Sequence, residues 1–173
     1  MLGRRKVVVG LAAAATLAGV GGLYYVAGRQ AAQPDSAALL GLVLPDLDGR
    51  KVALEHWRGS VLAVNFWATW CPPCRAEMPD FVRAQADYGA KGLQVVGIAV
   101  DDVAKVRRFV AEMGVNYPQL IADDAIMELA GSLGNSSRGL PFTVILDRSG
   151  AIAYRRVGMV GGRELNKSIN QLL

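Results

Sequence analysis

The junction between Val61–Trp67 and Trp70-Cys71-Pro72-Pro73-Cys74 constrains this chain more than any other feature. Val61 to Trp67 is a continuous apolar run broken only by Asn65, the pattern of a strand covered on both faces. Pro72 to about Tyr88 reads as a helix, because proline is favourable at a first helical position. Pro79 is expected to kink that helix or end its regular ladder. A buried strand feeding a helix implies an α/β fold in which helices cover a sheet.

The same junction places a pair of thiols where they can react. Free backbone N–H groups and the dipole at a helix N-terminus stabilise an anion. Cys71 is expected at the cap, its sulfur toward solvent and its thiolate favoured. Cys74 follows about one turn later, so the two sulfurs can close a short disulfide. In exchange chemistry the outer sulfur attacks and the inner one resolves, which assigns attack to Cys71 and resolution to Cys74. Glu77 lies three residues beyond Cys74 and shares its helix face. A carboxylate near both sulfurs would raise the thiol pKa values. The alternative is a solvated glutamate favoured in a helix's first turns by the dipole.

Other uses of the cysteines fit less well. The chain has 2 Cys and 1 His, so a metal site lacks ligands, and none is expected. Covalent haem attachment needs histidine after the second cysteine, where this chain has Arg75. A purely structural bridge across so short a loop would stabilise little. His56 reads as an ordinary surface residue, and no cofactor is expected.

The remaining pattern is that of one α/β domain. Leu42–Leu44 and Val52–Leu54 flank a turn containing Asp48-Gly49, a β-hairpin signal. Leu93–Val100 reads as a second buried strand, and Val103 to Met113 as a helix ending at Gly114. A short strand, Tyr117–Ile121, precedes a helical face built on Ile126, Leu129, Ala130 and Leu133. Phe142–Leu146 and Ala151–Val157 flank Asp147–Gly150 as a closing hairpin, and a last helix runs from Gly161 to Leu173. The expectation is a mixed sheet with helices on both faces.

The N-terminus differs in kind. Val7 to Gly28 is uncharged, and a helix of that length spans ~33 Å against a hydrocarbon core of ~30 Å. Small residues at both cleavage positions are lacking at Tyr25–Ala27 and at Gln30–Ala32, which favours an uncleaved anchor over a removed signal peptide. Arg4, Arg5 and Lys6 before the run place the N-terminus in the cytoplasm and the body outside. The expected organisation is an anchor over 1–28, a linker over 29–38 and a domain over 39–173. Of the 19 Lys and Arg, these three and Arg29 precede residue 33, leaving 15 against 15 Asp and Glu in the body. A neutral body argues against nucleic-acid binding.

The segment Asn65-Phe66-Trp67-Ala68-Thr69-Trp70-Cys71-Pro72-Pro73-Cys74-Arg75-Ala76-Glu77-Met78-Pro79 resembles the active-site segment of thioredoxin-like proteins, and most of all the TlpA/ResA branch of membrane-anchored, extracytoplasmic thiol–disulfide oxidoreductases. The likeness runs from about Leu42 to the C-terminus. It includes a leading hairpin ending in Trp57-Arg58-Gly59, an extra strand–helix segment over about 116–133, and Gly139-Leu140-Pro141-Phe142-Thr143, which resembles the family's cis-proline segment.

The resemblance implies a thioredoxin-like fold with an N-terminal hairpin and an inserted strand–helix segment. It implies a redox disulfide Cys71–Cys74 and a cis Leu140–Pro141 bond beside it, with Leu140 offering its backbone to an extended substrate. Trp70 would shield the sulfur or contact partners. The implied partners are disulfide-bearing protein substrates, in cytochrome c maturation or copper-site assembly, and a membrane-embedded electron donor of CcdA/DsbD type. The implied location is the bacterial inner membrane, single-pass, with the domain on the periplasmic side. One departure stands out. Asn65 occupies a position where thioredoxins proper carry a buried aspartate used in proton transfer, which leaves Glu77 as the candidate for that role. The rivals are a disulfide oxidase or isomerase, expected to carry His between the cysteines rather than Pro-Pro; a thiol peroxidase, expected to carry Thr where Ala68 stands; and a copper or metal chaperone using the CxxC.

Overall fold

The computed structural model describes residues 34–173. The expected anchor over 1–28 and the start of the expected linker lie outside the described residues. Among the described residues, no helix is long and apolar enough to cross a membrane. The rest of the expected linker is not a linker: α1 (Pro34–Leu40) is helical, and Ser36, Leu39 and Leu40 are buried. Its small, partly polar composition concealed one apolar edge, so the packed domain starts earlier than residue 39.

A short antiparallel hairpin follows, β1 (Val43–Pro45) and β2 (Lys51–Ala53). Its turn is closed by Asp46, whose Oδ1 accepts the N–H groups of Asp48 (2.8 Å) and Arg50 (3.0 Å). Gly49 supplies the positive φ of 81° that the turn requires. A 3₁₀ turn, Leu54–Trp57, then leads into the core strand β3 (Val61–Trp67), buried at every position as its composition predicts.

The main sheet also contains β4 (Leu93–Ala99), β5 (Gln119–Ile121), β6 (Phe142–Leu146) and β7 (Ile152–Val157), in the order β5-β4-β3-β6-β7. Strands β3, β4 and β5 run parallel, and β6 and β7 are antiparallel to their neighbours, so the sheet is mixed. A bridge between Asp46 and Leu120 sets the hairpin against the β5 edge.

The helices are α2 (Pro72–Tyr88), α3 (Val103–Glu112), α4 (Ile126–Ser132) and α5 (Gly162–Asn170). Successive residues of β3 alternate between faces. Leu62, Val64 and Phe66 pack with α1 and with Ile126 and Ala130 of α4. Val61 and Ala63 pack with Phe81 and Ala84 of α2 and Leu165 and Ile169 of α5. Each fully buried Val, Leu, Ile or Phe among them contributes about 1.5–3 kcal/mol relative to exposure. A third cluster forms where β3 ends, uniting Trp67, Ala68, Cys71, Cys74 and Met78 with Val106 and Phe109 of α3. Pro79 lies inside α2, which continues through it. One missing N–H does not end a helix held by Phe81 and Ala84 on its buried side.

Candidate active site

Cys71 is the N-cap of α2, and Pro72 and Pro73 fill the first two helical positions. Neither proline has an N–H, so the first amide of the helix belongs to Cys74, and it donates to the Cys71 Sγ at 3.3 Å. The two sulfurs are joined, Sγ–Sγ 2.03 Å. Cys74 is fully buried and Cys71 is 4% exposed, so the outer cysteine as a whole is less open to solvent than the sequence leads one to expect. Trp70, at 66% exposed, is the large hydrophobic group presented beside it. Trp67 is buried, its ring tilted against that of Phe109 with centroids 5.4 Å apart and its Nε1 donating to Gln119 Oε1 at 2.9 Å. The Gln119 amide lies where a Cβ on Gly97 would stand, so the glycine in β4 makes room for it.

Glu77 is not a solvated residue: it is 1% exposed. Asn65 Nδ2 donates to its Oε1 at 2.8 Å and also reaches Thr143 Oγ1 at 3.2 Å. The Val160 N–H donates to Oε2 at 2.8 Å. Burial raises the pKa of the carboxyl; the two N–H donors oppose it and the nearby Asp80 adds to it, leaving Glu77 at about 7 in the oxidised protein. Asn65, which cannot exchange protons itself, thus orients a group that can.

On the other side of the cysteine loop, Asp101 braces the turn that carries Trp70. Its Oδ2 accepts the Thr69 N–H at 3.0 Å and the Thr69 hydroxyl. Burial works to raise its pKa, but hydrogen bonds from Thr69 and Asp102 and the charge of Lys105 outweigh it and hold the carboxyl below the usual range. Arg75 projects its guanidinium over the Phe109 ring, 5.3 Å from the centroid. His56 is exposed in the 3₁₀ turn.

The Leu140–Pro141 bond is cis. Leu140 packs against the cluster that contains both cysteines, and Pro141 is buried, its carbonyl accepting the Gly158 N–H at 2.8 Å. Leu140, Gly139 and Arg138 line one groove with Trp70, Val100 and Met127, of about 470 Å³. Trp70 and Leu140 thus line the same groove, and Cys71 and Cys74 are joined. A larger cavity of about 800 Å³ lies between β1 and the start of α4 and shares Val100 and Asp124 with that groove. Sequence reasoning missed Asp101, Gln119, Asn135 and Val160. Asp101 follows β4, which runs parallel to the neighbouring β3, a position from which a side chain reaches the adjacent strand end; the others left no such signal.

The AhpC/TSA family pattern matches residues 36–155. Among curated proteins, the thiol-disulfide oxidoreductase ResA of Bacillus thuringiensis (strain Al Hakam) is 32% identical over 118 residues, 67% of this chain and 65% of that protein. The match thus spans slightly less than two thirds of that relative. The thioredoxin-like protein YneN of Bacillus subtilis (strain 168) is 33% identical over 131 residues, 73% of this chain and 74% of that protein. Among solved structures, a thiol:disulfide interchange protein of the thioredoxin family from Chlorobium tepidum TLS superposes with a TM-score of 0.69 at 28% identity, over 76% of this chain and 92% of that one. By matched length, by the Cys71–Cys74 junction and by strand order, the chain belongs to the AhpC/TSA family and has its thioredoxin-like fold.

Proposed function

We propose that this protein is an extracytoplasmic thiol–disulfide oxidoreductase that reduces disulfides in protein substrates. The observation that carries the proposal is the Cys71–Cys74 pair at the N-terminus of α2, with the buried Glu77 on the same helix. In the reduced protein, the Cys71 thiolate attacks one sulfur of a substrate disulfide. A mixed disulfide forms at Cys71, and the departing substrate thiolate takes up a proton. Cys74 then loses its proton and attacks the Cys71 sulfur. The mixed disulfide breaks, the second substrate thiol leaves, and Cys71–Cys74 is oxidised by two electrons. A pKa of about 7 lets Glu77 accept the Cys74 proton and release it again near neutrality. A carboxylate that raises thiol pKa values also makes a dithiol more reducing, which supports reduction over oxidation.

The uncharged run over 7–28 supports a tether in the inner membrane with the domain on the periplasmic side. The tether suits a membrane-embedded electron donor of CcdA/DsbD type, which would return the two electrons. The ResA name of the matched relatives supports the TlpA/ResA branch and, with it, substrates of cytochrome c maturation or copper-site assembly. Trp70 and Leu140 are the surfaces proposed to meet the substrate.

The test is a trap. Cys74→Ser expressed as the full chain in the native cell should accumulate a mixed disulfide through Cys71, and mass spectrometry of the adduct names the substrate. Cys71→Ser should trap little. Adducts formed preferentially through Cys74 would reverse the role assignment. An absence of any protein adduct, with copper retained by the unsubstituted protein, would replace the proposal with a metal chaperone.

A further inference from the structure

Asn135 lies in the turn between α4 and the cis-proline segment, and it is fully buried. Its Nδ2 donates to the Gly139 carbonyl at 2.8 Å, and its Oδ1 accepts the Gly139 N–H at 3.1 Å. The Ser137 hydroxyl donates to the same Oδ1 at 3.1 Å. Turning the amide over would set oxygen against oxygen and NH₂ against N–H, so these partners fix its orientation. One side chain thus satisfies both backbone polar groups of one residue. The turn is braced further by the Arg138 N–H, which donates to the Asn135 carbonyl at 2.9 Å. Arg138 holds a positive φ of 51°, and its guanidinium pairs with Glu128 of α4 at 2.6 Å.

The residues around Leu140 are therefore tied down. Gly139 is closed by Asn135, and the Pro141 carbonyl is closed by Gly158. Among the described residues, neither the N–H nor the C=O of Leu140 has a hydrogen-bond partner. Leu140 borders the groove beside Trp70 and packs on the cluster holding both cysteines. Backbone groups left open between two fixed neighbours are the requirement for pairing with an added extended strand.

We infer that Asn135 is a positioning residue for substrate docking: by clamping Gly139 it holds the open N–H and C=O of Leu140 toward an extended polypeptide that carries the disulfide. The inference rests on the oxidoreductase reading above and adds to it a residue that touches neither sulfur nor substrate. A clamp of this kind acts on substrates with a peptide backbone and leaves thiol chemistry alone.

The experiment compares two oxidants of the reduced full chain in single-turnover mixing. One is a short cyclic peptide closed by a disulfide; the other is bis(2-hydroxyethyl) disulfide, which has no peptide backbone. Asn135→Ala is expected to raise the half-saturating peptide concentration about tenfold, the size expected for losing a paired buried contact. The maximal rate with peptide and the rate with bis(2-hydroxyethyl) disulfide should stay within about twofold of the parent. If that variant fails to fold, Asn135→Asp provides the same split, since it keeps the acceptor and replaces the donor with an oxygen facing the Gly139 carbonyl. Equal loss with both oxidants, or no change with either, overturns the inference. A parent protein that leaves the peptide disulfide intact but oxidises with bis(2-hydroxyethyl) disulfide overturns the reading of the substrate class itself, a result separable from any effect of Asn135.

Discussion

Glu77 and Asp101 flank the same cysteine loop, and the fold has made opposite acids of them. Both are withdrawn from water and both accept N–H donors. Glu77 receives one amide from Asn65 and one from Val160, and it has another carboxylate, Asp80, nearby. Asp101 receives two donors from Thr69 and one from Asp102, with Lys105 at 4.0 Å. The extra donors and the cation overcome desolvation at Asp101; at Glu77 desolvation wins. The lesson is that burial alone does not make a proton-exchanging group. Asp101 is a charged strut for the turn bearing Trp70, while Glu77 can change its charge near neutrality.

The largest expected effect is at Glu77. Its pKa of about 7 in the folded, oxidised protein lies above the ordinary value of 4.5. The folded state therefore binds this proton more tightly than the unfolded chain does. The resulting stabilisation is complete below about pH 4.5 and is lost as pH rises through about 7. It is worth about 3 kcal/mol across that window. Glu77→Gln should remove this slope from urea unfolding of the oxidised protein. In the reduced protein the same variant should lower the active-site thiol pKa values and slow resolution at Cys74. Thiol titration curves that overlay those of the parent would reduce Glu77 to a buried structural residue.

Asp101→Asn should act in the other direction and by less, destabilising the protein by about 1–2 kcal/mol at neutral pH. Because the Asp101 pKa is lowered, its contribution is present above the ordinary carboxylate range and lost only as pH falls below it. Unfolding of Asp101→Asn should therefore keep the slope between pH 4.5 and 7 that Glu77 generates. A variant that flattened that slope would show that the two acids titrate together, and the contrast between them would fail.

The contrast also marks where the sequence is informative. The alternation of β3 places Asn65 on the face that meets α2, and helical spacing puts Glu77 on the face of Cys74, so half of the acid's environment is legible. Its other donor, Val160, comes from a loop 83 residues further along, where no periodicity points anywhere. The same limit hid Asn135: in Gly134-Asn135-Ser136-Ser137 it reads as ordinary loop chemistry, and only the fold turns its amide back onto Gly139. The core strands were legible as unbroken apolar runs, the long helix from the prolines that open it, and the helix of the inserted segment from its periodic apolar face. The first helix was not, because seven residues with three alanines or serines before its two leucines look like a spacer.

The central claim is that Cys71–Cys74 is a redox couple poised to reduce, and the most direct measurement is its midpoint potential in the folded protein at neutral pH. Equilibration against defined dithiol buffers, read by thiol labelling, should show reversible two-electron reduction with the fold retained. The midpoint should lie nearer the thioredoxin value of about −270 mV than the oxidase value of about −120 mV. A midpoint near the oxidase value would contradict the proposed direction of electron flow. A disulfide that opens only when the protein unfolds would contradict the redox role altogether.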